Sequence, residues 1–337
     1  MVNIGIIGIG FMGMTHFKAV TKIKGAKVTA LCTRNPKKLE GDWRDIKGNF
    51  GDDGGIQDLT HVRKYTEIGN ILADPDLDLI DICLPTHLHA EVAASALDAK
   101  RHVLVEKPIA LTLEDADRMI QTANRVGKLL MVGQVLRFFP EFALLKDIIS
   151  QGRYGKVVGA HLKRIIAKPS WGSFDTLELT GGAGIDLHIH DADFVHYAFG
   201  MPGAVFSSGV TTQEHVDYLT TCYLYPDRDT SISVSSGWIA MPGLMFEHGY
   251  DVYLEEATIQ YNSQTGQAPT LYTKDGEKSQ PMLQDQDAFQ SEIACAVACV
   301  EQGRASKMID GESARRSLLL CLREAESVKT HRVVQVP

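Results

Sequence analysis

The chain has 337 residues, 44% hydrophobic and 23% charged, which is enough apolar material for the cores of two ordinary domains. Its formal net charge of −8 carries no basic block, which argues against nucleic acid or an anionic membrane as the main partner. No apolar run approaches the roughly 18 residues of a membrane span. The six cysteines lack a C-x-x-C pair, so neither a zinc knuckle nor a thioredoxin-type site is expected.

Val2–Ile7 predicts a buried strand, and Gly8-Ile9-Gly10-Phe11-Met12-Gly13 follows at once, ahead of a helix over Met14–Ile23. This is G-x-G-x-x-G at a first strand-to-helix turn, the context in which it signals a dinucleotide site. Gly8 permits the tight turn, Gly10 lets a pyrophosphate approach the backbone, and Gly13 lets helix and strand pack closely. The helix N-terminus adds N–H donors and a partial positive charge.

Lys27–Cys32 is the second strand. An acid at its end would bind the ribose 2′-hydroxyl of NAD, but Thr33-Arg34 stand there instead. Nothing repels a 2′-phosphate and Arg34 can pair with one, so NADP is favoured over NAD. Gly41–Arg63, rich in Gly and Asp with no sustained period, predicts an enlarged surface loop. Glu67–Ala73 is a short helix, Leu79–Leu84 a buried strand, Ala90–Ala99 an alanine-rich helix.

The apolar run Val103–Val105 then predicts a strand ending in Glu106-Lys107-Pro108. In an open α/β sheet, ligands bind beyond the carboxyl ends of the strands, which places Lys107 where cofactor and substrate meet. A helix over Thr112–Val126 and a strand over Leu129–Gly133 complete an alternating pattern. That pattern predicts a doubly wound parallel sheet, a Rossmann-type NAD(P)-binding domain over residues 1–135.

Residues 136–337 read as a substrate-binding and oligomerisation α+β domain. Strands are predicted at Val157–Ile166, Ala204–Thr212, Tyr218–Tyr225, Thr230–Trp238, Asp251–Leu254, Thr258–Tyr261 and Thr270–Thr273. Their alternation predicts one large, open, mainly antiparallel sheet. Helices over Asp285–Glu301 and Gly311–Lys329 close the domain, with a last strand at Val333–Val336. A sheet face without helical cover predicts a homodimer or homotetramer.

Within this half, Gly181-Gly182 lead into Asp186-Leu187-His188-Ile189-His190-Asp191-Ala192-Asp193. On one helix, Asp186, His190 and Asp193 share a face. An Asp one turn before a His holds the imidazole in one tautomer, which suits removal of a proton from an alcohol. No metal is expected, because His188 and His190 diverge on a helix and no further ligand set is evident. The cysteines read as buried, reduced thiols, and no leader precedes the first strand, so a cytoplasmic protein is expected.

These motifs, in this order and spacing, resemble the glucose–fructose oxidoreductase/inositol dehydrogenase (Gfo/Idh/MocA) family: Gly8–Gly13, Leu84–His89, Glu106–Pro108, and Gly181 through Asp193. The resemblance implies a Rossmann domain joined to a domain whose open sheet commonly forms the oligomer interface. It implies NAD(P)-dependent oxidation of a secondary alcohol on a sugar, inositol or related polyol. It implies that Leu84, Pro85, Thr86 and His89 line the cofactor and that Glu106 packs by the nicotinamide. Lys107 would contact substrate and nicotinamide, His190 would be the general acid/base, and Asp186 would orient it. Arg137 and Trp171 are further expected at the substrate. Two alternatives share these residues: glycoside cleavage by transient oxidation and elimination, and a non-catalytic nucleotide-binding sensor or scaffold.

Overall fold

The computed structural model describes residues 1–48, 54–169 and 176–337. They form two compact units, Met1–Val135 with Asp287–Arg315, and Leu136–Gln286 with Arg316–Pro337.

The first unit holds strands β1 (Val2–Ile7), β2 (Ala26–Cys32), β3 (Arg63–Tyr65), β4 (Leu79–Ile82), β5 (His102–Glu106) and β6 (Leu130–Gly133). All pair in parallel, in the order β3-β2-β1-β4-β5-β6. Ile6, Leu79, Ile80, Val103 and Leu104 are fully buried, as the near-continuous apolar runs require of a sheet covered on both faces. The strand order reverses between β1 and β4, and it is beyond the carboxyl ends of the strands at such a switch point that sheets of this kind bind ligands. Sequence order alone assigns Asp287–Arg315 to the second half of the chain. In the structure it groups with the first unit, where the helix Ala288–Gln302 packs on the helix Phe11–Val20.

The described parts of the Gly41–Arg63 segment, residues 41–48 and 54–63, are anchored rather than a solvated surface loop, and residues 49–53 lie outside the described residues. Trp43 is completely buried, meets the Phe17 ring edge-on at 4.9 Å, and donates its indole N–H to the Lys38 carbonyl. Ile46 and Leu59 of the same segment are buried too.

The second unit is built on a nine-stranded sheet. Its strands are β7 (Val157–Ala167), β8 (Ala204–Thr212), β9 (His215–Leu224), β10 (Ser231–Ala240), β11 (Glu247–Leu254), β12 (Ala257–Asn262), β13 (Thr270–Thr273), β14 (Lys278–Ser279) and β15 (Val334–Gln335). Their order is β14-β13-β12-β11-β7-β10-β9-β8-β15. The sheet is mainly antiparallel, with one exception that the strand patterns do not show: β10 runs parallel to β7. The hairpins β8–β9 and β9–β10 return the chain to the centre in β7's own direction.

Leu162, Val205, Leu219, Val234, Val252 and Ile259 fill the buried face of this sheet. On the other face Phe206, Val210, Leu224 and Tyr253 are exposed, together with Cys222. The thiols are therefore free but not all buried. Among the described residues, no helix is long and apolar enough to cross a membrane.

Candidate active site

The turn after β1 has the geometry that a dinucleotide needs. Gly8 has φ +96°, and a Cβ there would fall 2.5 Å from the Cys83 carbonyl oxygen. A Cβ on Gly13 would fall 2.0 Å from the Gly8 carbonyl oxygen, so only glycine allows the helix to start this close. A Cβ on Gly10 would meet nothing within 4 Å. That open space above the second glycine is where a pyrophosphate would approach the backbone. Phe11 and Met12 are half-buried at the start of the helix Phe11–Val20, whose first N–H groups have no side-chain cap.

At the end of β2, Thr33 is half-buried and its hydroxyl accepts the Asn35 N–H at 3.3 Å, while Arg34 is exposed. Lys38 reaches back to donate to the Ile9 carbonyl, 2.6 Å away, inside the glycine turn. Burial lowers the pKa of this ammonium, with Asp45 acting the other way.

The turn after β4 presents Leu84, half-buried, and Pro85, exposed, whereas Thr86 is buried. His89 turns both ring nitrogens to backbone carbonyls. It is buried, with Nδ1 2.8 Å from the Pro108 carbonyl and Nε2 2.8 Å from the Leu84 carbonyl. It ties the β4 and β5 turns together, and both ring nitrogens are occupied by backbone. Burial lowers its pKa against the carbonyls' opposing effect.

Lys107 stands half-buried at the carboxyl end of β5, and the Lys107–Pro108 bond is cis. Glu106 is buried below it. One carboxylate oxygen, Oε2, accepts the Lys107 backbone N–H at 3.1 Å. The other, Oε1, lies 3.0 Å from His16 Nε2. Burial raises the Glu106 pKa, but His16 and Lys107 outweigh it and the carboxyl is held below its ordinary range. His16 is also hydrogen-bonded to Asp81, and Glu292 lies 4.0 Å away. Sequence reasoning missed these three residues. The available signals were a histidine three residues after the last glycine of the turn, and an acid inside the apolar LIDICL strand.

In the second unit the Gly181–Asp193 motif is not one helix. Ala183–Asp186 and Ile189–Phe199 are separate helices with Leu187-His188 between them. Three of the motif's charged groups are consumed by buried ion pairs. His188 Nε2 meets Glu324 Oε2 at 2.6 Å, Asp191 pairs with Arg164, and Asp193 pairs with Arg137. Arg137, expected at the substrate, is 1% exposed with its guanidinium on Asp193 and over the Tyr197 ring. Asp193 correspondingly leaves the face it was expected to share with Asp186 and His190. Those two remain half-buried. Trp171 lies outside the described residues.

Family comparisons agree with these features. The model described as "Oxidoreductase family, NAD-binding Rossmann fold" matches residues 2–134, and "GFO/IDH/MocA C-terminal domain" matches residues 142–260. A myo-inositol 2-dehydrogenase of Thermotoga maritima is 26% identical over 98% of this chain and 99% of its own. Inositol 2-dehydrogenase 2 of Saccharopolyspora erythraea is 24% identical over 99% of this chain and 96% of its own. A solved levoglucosan dehydrogenase, in complex with NADH and levoglucosan, superposes with TM-score 0.85 at 19% identity, covering 100% of this chain and 99% of that one. With its dinucleotide turn, its Glu-Lys-Pro strand end and its open mixed sheet, the chain belongs to the GFO/IDH/MocA family of NAD(P)-dependent oxidoreductases.

Proposed function

We propose that the protein oxidises a secondary alcohol of a sugar, inositol or related polyol, or reduces the corresponding ketone. The observation that carries this reading is the pairing, in one unit, of a glycine turn open at Gly10 with a half-buried lysine at the carboxyl end of β5. The full-length relatives named as inositol dehydrogenases support the substrate class.

A bound dinucleotide supplies the hydride-accepting chemistry. Lys107 polarises the hydroxyl oxygen. His190 takes the hydroxyl proton as the carbon gives up its hydride, and Asp186 holds the imidazole for that transfer. The products are a ketone and the reduced cofactor, with the proton on His190. In reduction His190 returns it.

NADP is the preferred cofactor on this reading. No acid closes β2, Arg34 is exposed there, and Lys38 places a second cation against the glycine turn. The exposed face carrying Phe206, Val210, Leu224 and Tyr253 receives a second copy of the chain, making a dimer or tetramer. A monomer in analytical ultracentrifugation at micromolar concentration would contradict this.

The test of the reaction is a polyol and sugar panel with NADP+ and NAD+, read by absorbance of the reduced cofactor. Net reduction supports dehydrogenation. Sugar release with no net change in cofactor would mean redox elimination instead. Cofactor binding without turnover on any member would favour a sensor.

A further inference from the structure

We propose that His16 is a positioning residue: a doubly protonated imidazole, sealed under the glycine turn, that holds Glu106 where its carboxylate fixes the backbone of Lys107. This rests on Lys107 being a reacting group.

The geometry is specific. His16 is 0% exposed on the helix Phe11–Val20. Its Nδ1 is 2.9 Å from Asp81 Oδ2, and its Nε2 is 3.0 Å from Glu106 Oε1 and 4.0 Å from Glu292 Oε1. Asp81 is hydrogen-bonded to Nδ1 and Glu106 stands at ion-pair distance from Nε2, so the two carboxylates together favour the ring with a proton on both nitrogens. The second oxygen of Glu106 continues the chain to the Lys107 N–H at 3.1 Å. Asp81, His16, Glu106 and the Lys107 backbone thus form one relay from the floor of the sheet to the reacting lysine.

Three separate elements face the ring. Asp81 comes from β4, with the Cys83 thiol just beyond it, 3.5 Å from Nδ1. Glu106 comes from β5, with Lys107 next to it and His89 acting on its charge. Glu292 comes from the helix Ala288–Gln302, whose Phe289 ring lies 6.5 Å from the imidazole. A Cβ on Gly133, at the end of β6, would fall 3.3 Å from Glu292 Oε1, tighter than ordinary contact, so the glycine leaves room for that carboxyl. One imidazole therefore answers three buried carboxyl groups. Burial alone would lower its pKa, yet Asp81 and Cys83 raise it well above the ordinary histidine value. A buried ion cluster is poor stabilisation for its own sake. Its position directly below Lys107 gives it a use.

Histidine-selective nitrogen-15 labelling tests the ionisation. The His16 signal, assigned by its loss in H16Q, is expected to show both nitrogens protonated at neutral pH. A ring with a bare nitrogen at pH 7 would overturn the proposal. If H16Q does not fold, D81N serves. It keeps the shape of the pair and, with the charge beside Nδ1 gone, is expected to lower the ring's pKa and to move the alkaline limb of kcat to lower pH. No change in D81N would overturn the proposal. The positioning role is read with NADPH and NADH as calorimetric probes. H16Q is expected to bind them within about threefold of wild type while kcat falls about 100-fold and KM stays nearly constant. Wild-type kcat in folded H16Q would overturn it. Failure of the functional reading is separable: the wild type would then bind neither dinucleotide, the positioning role would fall, and the imidazolium would still be seen.

Discussion

Arg137 grips Asp193 at two points, Nε to Oδ2 at 2.8 Å and the terminal nitrogen to Oδ1 at 2.6 Å, with neither side chain reaching solvent. Ser317 adds a third bond, its hydroxyl donating to Oδ1 at 2.7 Å. The pair accounts for two residues whose sequence context suggested chemistry. It also separates the second motif into a buried scaffold and two half-buried groups, Asp186 and His190.

Removing one member of this pair strands the other's charge. D193N is expected to destabilise the second unit by roughly 3–5 kcal/mol in urea unfolding. The double variant R137L/D193L should recover most of that loss. A D193N cost below about 1 kcal/mol would show that water or another anion reaches Arg137.

The pH dependence of stability has two opposite limbs in this unit. Burial raises the Asp193 pKa, but Arg137 and His196 outweigh it and depress the carboxyl strongly. Its contribution is therefore present above the unfolded value of about 3.9 and is lost as pH falls below it toward the depressed native value. Burial lowers the His188 pKa, but Glu324 overcomes this and raises it. That contribution is complete below about 6.5 and is lost as pH rises through the raised native value. Urea midpoints across pH should show a plateau between the limbs, and E324Q should flatten the alkaline one. An unchanged alkaline slope in E324Q would assign it to another group.

Two glycines of one turn should respond in opposite ways. G13A forces a Cβ to within 2.0 Å of the Gly8 carbonyl oxygen and is expected to lower the melting temperature clearly. G10A meets nothing within 4 Å, so folding should be nearly unaffected while dinucleotide affinity drops by about tenfold or more. Equal losses of stability would mean that Gly10 is a folding residue and not a ligand contact.

Cofactor choice follows from the end of β2. In calorimetric titrations R34A should weaken NADPH binding by about tenfold and leave NADH nearly unchanged. T33D should shift preference toward NADH. An NADH preference in the wild type would mean that Arg34 is not a phosphate clamp, with the catalytic proposal unaffected.

The sequence and the structure agree where the signal is local. The apolar runs at Val2–Ile7 and Val103–Val105 declare buried parallel strands, and Ala204–Thr212 and Thr270–Thr273 appear with the expected bounds. The disagreements are non-local. The parallel pairing of β7 with β10 depends on where two hairpins return the chain, which neither strand's own pattern encodes. The helix Ala288–Gln302 joins the first unit through contacts with residues near the start of the chain. His16, Asp81 and Glu292 each read as isolated polar residues on apolar elements, and only folding assembles them. Trp43 gave no signal because its Gly- and Asp-rich surroundings resemble a solvated loop.

The central claim is that this chain moves hydride between a polyol carbon and a nicotinamide using Lys107 and His190. The most direct measurement is transfer of deuterium from a carbinol-deuterated polyol to the cofactor, followed by mass spectrometry in wild type, K107A and H190A. The wild type should deliver one deuterium per turnover. Both variants, folded and still binding the dinucleotide, should fall by at least about 100-fold. Full transfer in either variant would contradict the assigned roles, and no transfer by folded, dinucleotide-bound wild type from any polyol tried would contradict the proposed reaction.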